Sequence, residues 1–183
     1  MVANMKRGPM LYMANVDEVR FKVLRKREQL PFIAPEGNAY TPDHAFRLRL
    51  MLDLIGGEDD GLGGLPPSAA APLVAEALRF YPVHPLRQFT PHDWWAGVVV
   101  LERAFIGVDG QEESERWAIN FFGEIENFSD WLDEARTFKS GDISGRYNTV
   151  RVFLANMSRA AQVVQSRAEE IGIDLFAIEP EST

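Results

Sequence analysis

Proline and glycine cut the first half of this chain into short pieces, so only brief helices and turns can be threaded through it. Residues 30–40 (L-P-F-I-A-P-E-G-N-A-Y) hold two prolines and a Gly-Asn pair. Proline removes a backbone donor, and Gly and Asn tolerate positive φ, so a loop or short β-hairpin is predicted there. Thr41-Pro42-Asp43 then opens a helix, with an N-cap, proline at the first helical position and an acid in the first turn. That helix carries Phe46, Leu50 and Leu54 and stops at Gly56-Gly57. Gly56 to Gly64 is an acidic, glycine-rich loop, and Pro66-Pro67-Ser68 begins a further helix with Leu73, Val74, Ala77 and Leu78. Residues 81–92, with three prolines and two histidines, read as a linker.

Upstream, residues 9–14 predict a short helix, and Asn15-Val16-Asp17 a turn. Val16 to Glu28 reads as a basic helix that contains R-F-K-V-L-R-K-R between Arg20 and Arg27. At 100° per residue Val16, Val19, Val23 and Leu24 fall broadly on one side and Lys22, Arg25 and Lys26 opposite, while Arg20 and Arg27 lie on the apolar side. The chain as a whole is acidic, at −8. Residues 1–50 hold nine Lys/Arg against five Asp/Glu, or +4; residues 51–183 hold ten against 22, or −12. A basic end on an acidic body suits contact with a polyanion through one part while the rest stays soluble. The plainer alternative is a solvated surface helix.

The second half alternates differently. Trp94–Phe105 predicts a strand, Val108 to Glu115 a polar turn, and Arg116–Phe122 a second strand with Trp117, Ile119 and Phe121 on one face. A short helix follows with Phe128, Trp131 and Leu132 on one side, then a loop from Thr137 to Gly145. The last helix is expected from about Arg146 to Ile171. In it Val150, Leu154, Met157, Ala161, Val164, Ala168 and Ile171 are spaced 4, 3, 4, 3, 4, 3, a heptad seam. The seam suits a homodimer interface, or packing inside its own subunit. The aromatic group Trp94, Trp95, Trp117, Phe121, Phe122, Phe128 and Trp131 suits a core or partner surface, with a ligand pocket as the alternative.

Several classes are set aside. The hydrophobic share of 46% supports a real core, which argues against global disorder. No cysteine is present, so disulfides, thiolate zinc sites and a cysteine nucleophile are excluded. The longest apolar run, around Val98–Leu101, falls far short of the roughly 20 residues of a membrane span. Lys6 and Arg7 are followed by no apolar stretch of a secretory signal, so a cytoplasmic protein is expected. His84 and His92-Asp93 lack further metal ligands nearby. Glu58-Asp59-Asp60 lacks EF-hand spacing, and its glycines lack the Gly-Lys-Ser/Thr of a phosphate loop. Glu102, Glu124 and Glu126 form no catalytic signature. No enzyme and no cofactor are expected.

The order of elements and several residues resemble the MerR-type winged helix-turn-helix. Val16-Asp17 through Lys22 to Leu30-Pro31 is similar to the second helix of that family and its exit. Tyr40-Thr41 resembles the closing tyrosine of its wing and Gly64-Leu65-Pro66-Pro67-Ser68 its step into a fourth helix. The likeness covers roughly residues 8–80. Lys22 falls where the family has a DNA-contacting arginine, and Val23 where it often has a DNA-contacting tyrosine. The resemblance implies a dimeric regulator of transcription that binds double-stranded DNA.

The expected fold is thus mainly α with a small antiparallel β element (α+β). It comprises an N-terminal winged helix-turn-helix and a C-terminal β-hairpin plus long heptad helix. Residues 1–80 would bind DNA through Arg20, Lys22, Arg25, Lys26 and Arg27. Residues 81–92 would link them to a dimerisation and regulatory domain at 93–183. RNA polymerase or another regulator is a further expected partner, and a protein-interaction module that has lost DNA binding is the alternative function.

Overall fold

The computed structural model describes residues 4–37, 39–56, 64–80, 86, 93–140 and 143–175. Four helices come first: α1 (Arg7–Ala14), α2 (Glu18–Lys26), α3 (Pro42–Ile55) and α4 (Pro67–Phe80). The strands β1 (Trp94–Ile106) and β2 (Glu112–Glu124) follow, then α5 (Phe128–Ala135), β3 (Thr137–Ser140), β4 (Ile143–Arg146), β5 (Asn148–Asn156) and α6 (Met157–Glu170).

The sheet is antiparallel in the order β2-β1-β5, with β3 and β4 forming a separate two-stranded hairpin. β1 and β2 pair over thirteen positions, from Trp94↔Glu124 to Ile106↔Glu112. Strand alternation sends Ala96, Val98 and Ala155 to one face, where they join the apolar residues of the helices. The opposite face carries Val99, Leu101 and Phe121, all buried. There Phe121 meets Phe128 and Trp131 of α5, each at a centroid distance of 5.0 Å. Trp117 packs against Tyr147 at 3.9 Å. Gly97 leaves no room for a side chain between β1 and β5: a Cβ there would overlap the Phe153 carbonyl and the Leu154 side chain.

Helices α1, α2, α3, α4 and α6 share one core on the first face, while α5 lies on the other. Met10 and Met13 of α1, Phe21 and Leu24 of α2, Phe46, Leu50 and Leu54 of α3, and Met157, Ala161, Val164 and Ala168 of α6 all belong to it. Leu86, the one described residue of segment 81–92, is buried in the same core. The apolar interior therefore runs continuously from the segment before residue 80 into the segment after residue 93. Among the described residues no helix is long and apolar enough to cross a membrane.

The fold expectation needs correcting in three places. The chain is α+β, but every named strand lies in the C-terminal half, and among the described residues no N-terminal winged helix-turn-helix is found. Within residues 30–40, expected as a loop or short hairpin, the described residues form a loop and no hairpin; Met5 pairs with Tyr40, through Met5 N–H to Tyr40 O at 2.8 Å and Tyr40 N–H to Met5 O at 3.2 Å. Pro31 and Pro35 cannot donate to a ladder, which works against a hairpin here. Second, Thr137 to Gly145 is not a plain loop, since β3 and β4 pair across it. Third, the long heptad helix is not one element. Val150 and Leu154 lie in β5, and the helix begins only at Met157, capped by Asn156 Oδ1, which accepts from Arg159 N–H at 2.8 Å.

The dimer seam goes with that helix. Met157, Ala161, Val164 and Ala168 are buried in their own subunit beside α1 and α3, while Val150 and Ile171 stay partly exposed. Met157→Ala should cost about 2–5 kcal/mol as an internal core truncation. Urea unfolding checks this, with a midpoint that falls by the same amount at every protein concentration.

Candidate nucleic-acid interface

The exposed face of α2 is determined by its two ends and two buried side chains. α1 ends on Asn15 in the left-handed region at φ 53°, with Val16 N–H returning to Leu11 O at 3.1 Å. Asp17 then N-caps α2, its carboxylate accepting from Arg20 N–H at 2.8 Å. Phe21 and Leu24, three residues apart, are buried, and Phe21 meets the buried Tyr40 ring edge-on. Burial of such side chains contributes roughly 1.5–3 kcal/mol each, enough to hold a nine-residue helix at one rotation. At the far end Glu28 takes φ 55°, and Gln29 N–H reaches Leu24 O at 2.9 Å, completing a Schellman-type stop.

This rotation revises the helical wheel. Val19 (72% exposed) and Val23 (43%) face solvent, and Phe21 with Leu24 faces the core. Val19 and Val23 therefore share the outward arc with Lys22 and Lys26, and Arg25 lies at its edge. A helical wheel groups apolar residues without saying which arc is covered, and Val19 and Val23 draw the apolar side away from Phe21.

The five cations assigned to DNA from the sequence divide. Arg20 is half-buried and its guanidinium donates to Gly56 O at 2.7 Å, tying α2 to the C-terminal end of α3. Such an end carries orphan carbonyls that favour a cation, so Arg20 is structural. Lys22 is exposed and pairs with Glu18 at 3.3 Å, and Glu18 also takes Arg7 at 2.6 Å. Exposed pairs of this kind are worth at most about 1 kcal/mol and yield readily to a stronger anion. Arg25, Lys26 and Arg27 are exposed, with no ion-pair partner among the described residues.

Beside α2 lies a feature that sequence reasoning missed. A cleft of about 400 Å³ is lined by Lys6, Arg7, Glu18, Arg25, Gly37 and Tyr40, among others. The Met5–Tyr40 pairing brings the start of the chain alongside α2 and creates it. Its only sequence signal was the Lys6-Arg7 pair, whose charged and aromatic neighbours Glu18, Arg25 and Tyr40 come from further along the chain.

Behind the cleft, α3 begins with a reciprocal cap. His44 N–H donates to Thr41 Oγ1 at 3.4 Å, and Thr41 N–H donates to His44 Nδ1 at 3.0 Å. The ring lies tilted against Phe32, at a centroid distance of 4.5 Å. Burial pushes the His44 pKa below its ordinary value, with Asp43 opposing and Arg47 assisting.

The other candidates resolve simply. Trp94 and Phe122 pack on the helical core, while Phe121, Phe128 and Trp131 pack with one another on the opposite face, so these aromatics are spent on packing. Glu102 pairs with Arg116 at 2.7 Å across the β1–β2 hairpin. His84, His92 and Glu58-Asp59-Asp60 lie outside the described residues. Among the described residues no group of three or more acidic or histidine side chains is placed to hold a metal ion. Comparison with protein-family models, curated proteins and solved structures finds no match to this chain.

Two outcomes follow from the caps. His44 binds its proton less readily in the folded chain, so its contribution is full above about pH 6.5 and is lost as pH falls below that value. His44→Gln, which can still accept from Thr41 N–H, should flatten this part of the pH–stability curve measured by thermal unfolding. Glu28→Gly should raise stability by roughly 1 kcal/mol, because glycine enters the left-handed region without the Cβ penalty; denaturant titration reads it.

Proposed function

We infer that this chain is a cytoplasmic, sequence-specific regulator that binds double-stranded DNA through the exposed face of α2. One observation carries the proposal. Lys22, Arg25, Lys26 and Arg27 stand exposed on or next to one firmly anchored helix, in a protein whose net charge is −8. The helix dipole accounts for some cations in a last turn, at about 0.3–1 kcal/mol each. Lys22, a turn earlier, adds charge beyond that need. Lys and Arg on such a face supply phosphate contacts, and Arg also reads guanine through O6 and N7. Val19 and Val23, between them, offer apolar contact to thymine methyl groups.

A twofold arrangement of the regulator must be built from surfaces other than Met157, Ala161, Val164 and Ala168, since those four seam residues serve the core. Contact with RNA polymerase or another regulator belongs to this proposal as well.

A second reading has its own observation. The β1–β2 hairpin extends beyond the core with Ile106 69% exposed and Val108 fully exposed, amid Asp109, Glu112 and Glu113. That surface favours a protein-interaction module over a DNA reader.

Fluorescence anisotropy on genomic duplex fragments separates the two. For a DNA reader, Lys22→Ala with Lys26→Ala should weaken binding about tenfold or more at low salt. The slope of log affinity against log salt should fall by roughly 1 for each phosphate that the variant no longer neutralises. Unchanged affinity and slope would leave α2 a solvated helix and favour the second reading.

A further inference from the structure

The geometry points to the cleft between Lys6 and Arg25 as a binding site for a single backbone phosphate of nucleic acid, seated at the flank of α2. The inference rests on the DNA-binding proposal for α2 and adds to it a contact from outside that helix.

Three observations support it. First, the cleft collects charge against the trend of the molecule. Lys6, Arg7 and Arg25 line it with Glu18 as the opposing acid, a local balance of +2 in a chain at −8. Second, the charges are unevenly satisfied. Arg7 and Glu18 neutralise each other at 2.6 Å, whereas Lys6 and Arg25 have no ion-pair partner among the described residues. Two unpaired cations around one concavity repel each other, and an anion between them converts that repulsion into attraction. Third, the walls are fixed before any ligand arrives. Met5 and Tyr40 exchange two backbone hydrogen bonds at 2.8 and 3.2 Å, and Tyr40 is buried against Phe21 and His44. Gly37, at φ 67°, turns the loop on the far side in a conformation that favours glycine.

A phosphodiester fits these features better than a small metabolite. The cleft is half open and its lining is more polar than apolar, and it adjoins the outward arc of α2, where a groove-bound helix meets the sugar–phosphate backbone on either side. Lys6 supplies a point charge and Arg25 a fork that matches two phosphate oxygens.

The test uses the full chain and a mixed-sequence duplex two helical turns long, with anisotropy read across a salt series. Lys6→Gln is the informative variant because Lys6 lies outside α2 and its side chain caps nothing. Arg79→Gln, an exposed cation on α4, is the control for loss of one charge. The expected result is a salt slope reduced by about 0.9 for Lys6→Gln, with little change for Arg79→Gln. A duplex with one neutral methylphosphonate linkage should weaken wild-type binding at one position and weaken Lys6→Gln binding less there, since only Arg25 remains to hold that phosphate. If Lys6→Gln matches Arg79→Gln while Lys22→Ala with Lys26→Ala still weakens binding, the phosphate site is overturned and the α2 proposal stands. If the wild-type chain binds no duplex at low salt, both fall together.

Discussion

The burial of the α6 apolar stripe against α1 and α3 sets the position of nearly everything else in this molecule. Met157, Ala160, Ala161, Val164 and Ala168 disappear into a core that α1 and α3 share. The alanines let the backbones come close. At the rim, the Tyr12 hydroxyl donates to Glu170, and Arg167 lies 5.0 Å over the Tyr12 ring while donating to Tyr12 O at 3.1 Å. The cation–π contact and the hydrogen bonds add direction to an otherwise non-directional attraction. Because α1 is held by the last helix, the Asn15 turn and α2 inherit a fixed orientation from residues more than a hundred positions away.

That dependence explains why the cationic face is rigid as well as charged. α2 is short, and an isolated helix of nine residues would not persist in water. Its two buried side chains, its Asp17 cap and the Arg20 contact to Gly56 O hold it instead. The cleft beside it depends on the same scaffold, because Tyr40 is at once a wall of the cleft, a neighbour of Phe21 and the pairing partner of Met5.

The acidic remainder need not defeat such a face. At physiological salt the Debye length is about 8 Å, so exposed carboxylates beyond that distance act weakly on a phosphate at α2. Six of the 27 acids lie on the β1–β2 hairpin, where Arg103–Glu115 at 2.9 Å and Arg116–Glu102 at 2.7 Å already offset part of that charge. Glu18 is different, because it sits within the cationic cluster and holds Arg7 and Lys22. It moderates the local field more than the distant acids do.

Local chemistry is legible in the sequence wherever one residue type has one steric or hydrogen-bonding reason to be present. Thr41-Pro42-Asp43 marks the start of α3, Gly56 its end, and the alternation of Trp117, Ile119 and Phe121 marks β2, all from neighbours within a few positions. The segment 148–156 defeats a periodicity argument because a spacing of four, as in Val150 and Leu154, keeps one face in a helix and in a strand alike. The β-branched Thr149, Val150 and Val152 and the Asn156 cap are the signals that favour a strand ending at residue 156. Which arc of α2 meets solvent, whether the α6 stripe faces its own core, and how Lys6 comes beside Arg25 were decided only by tertiary packing. Each depends on what covers a surface, and that covering comes from residues distant in the chain, which no local period or composition encodes.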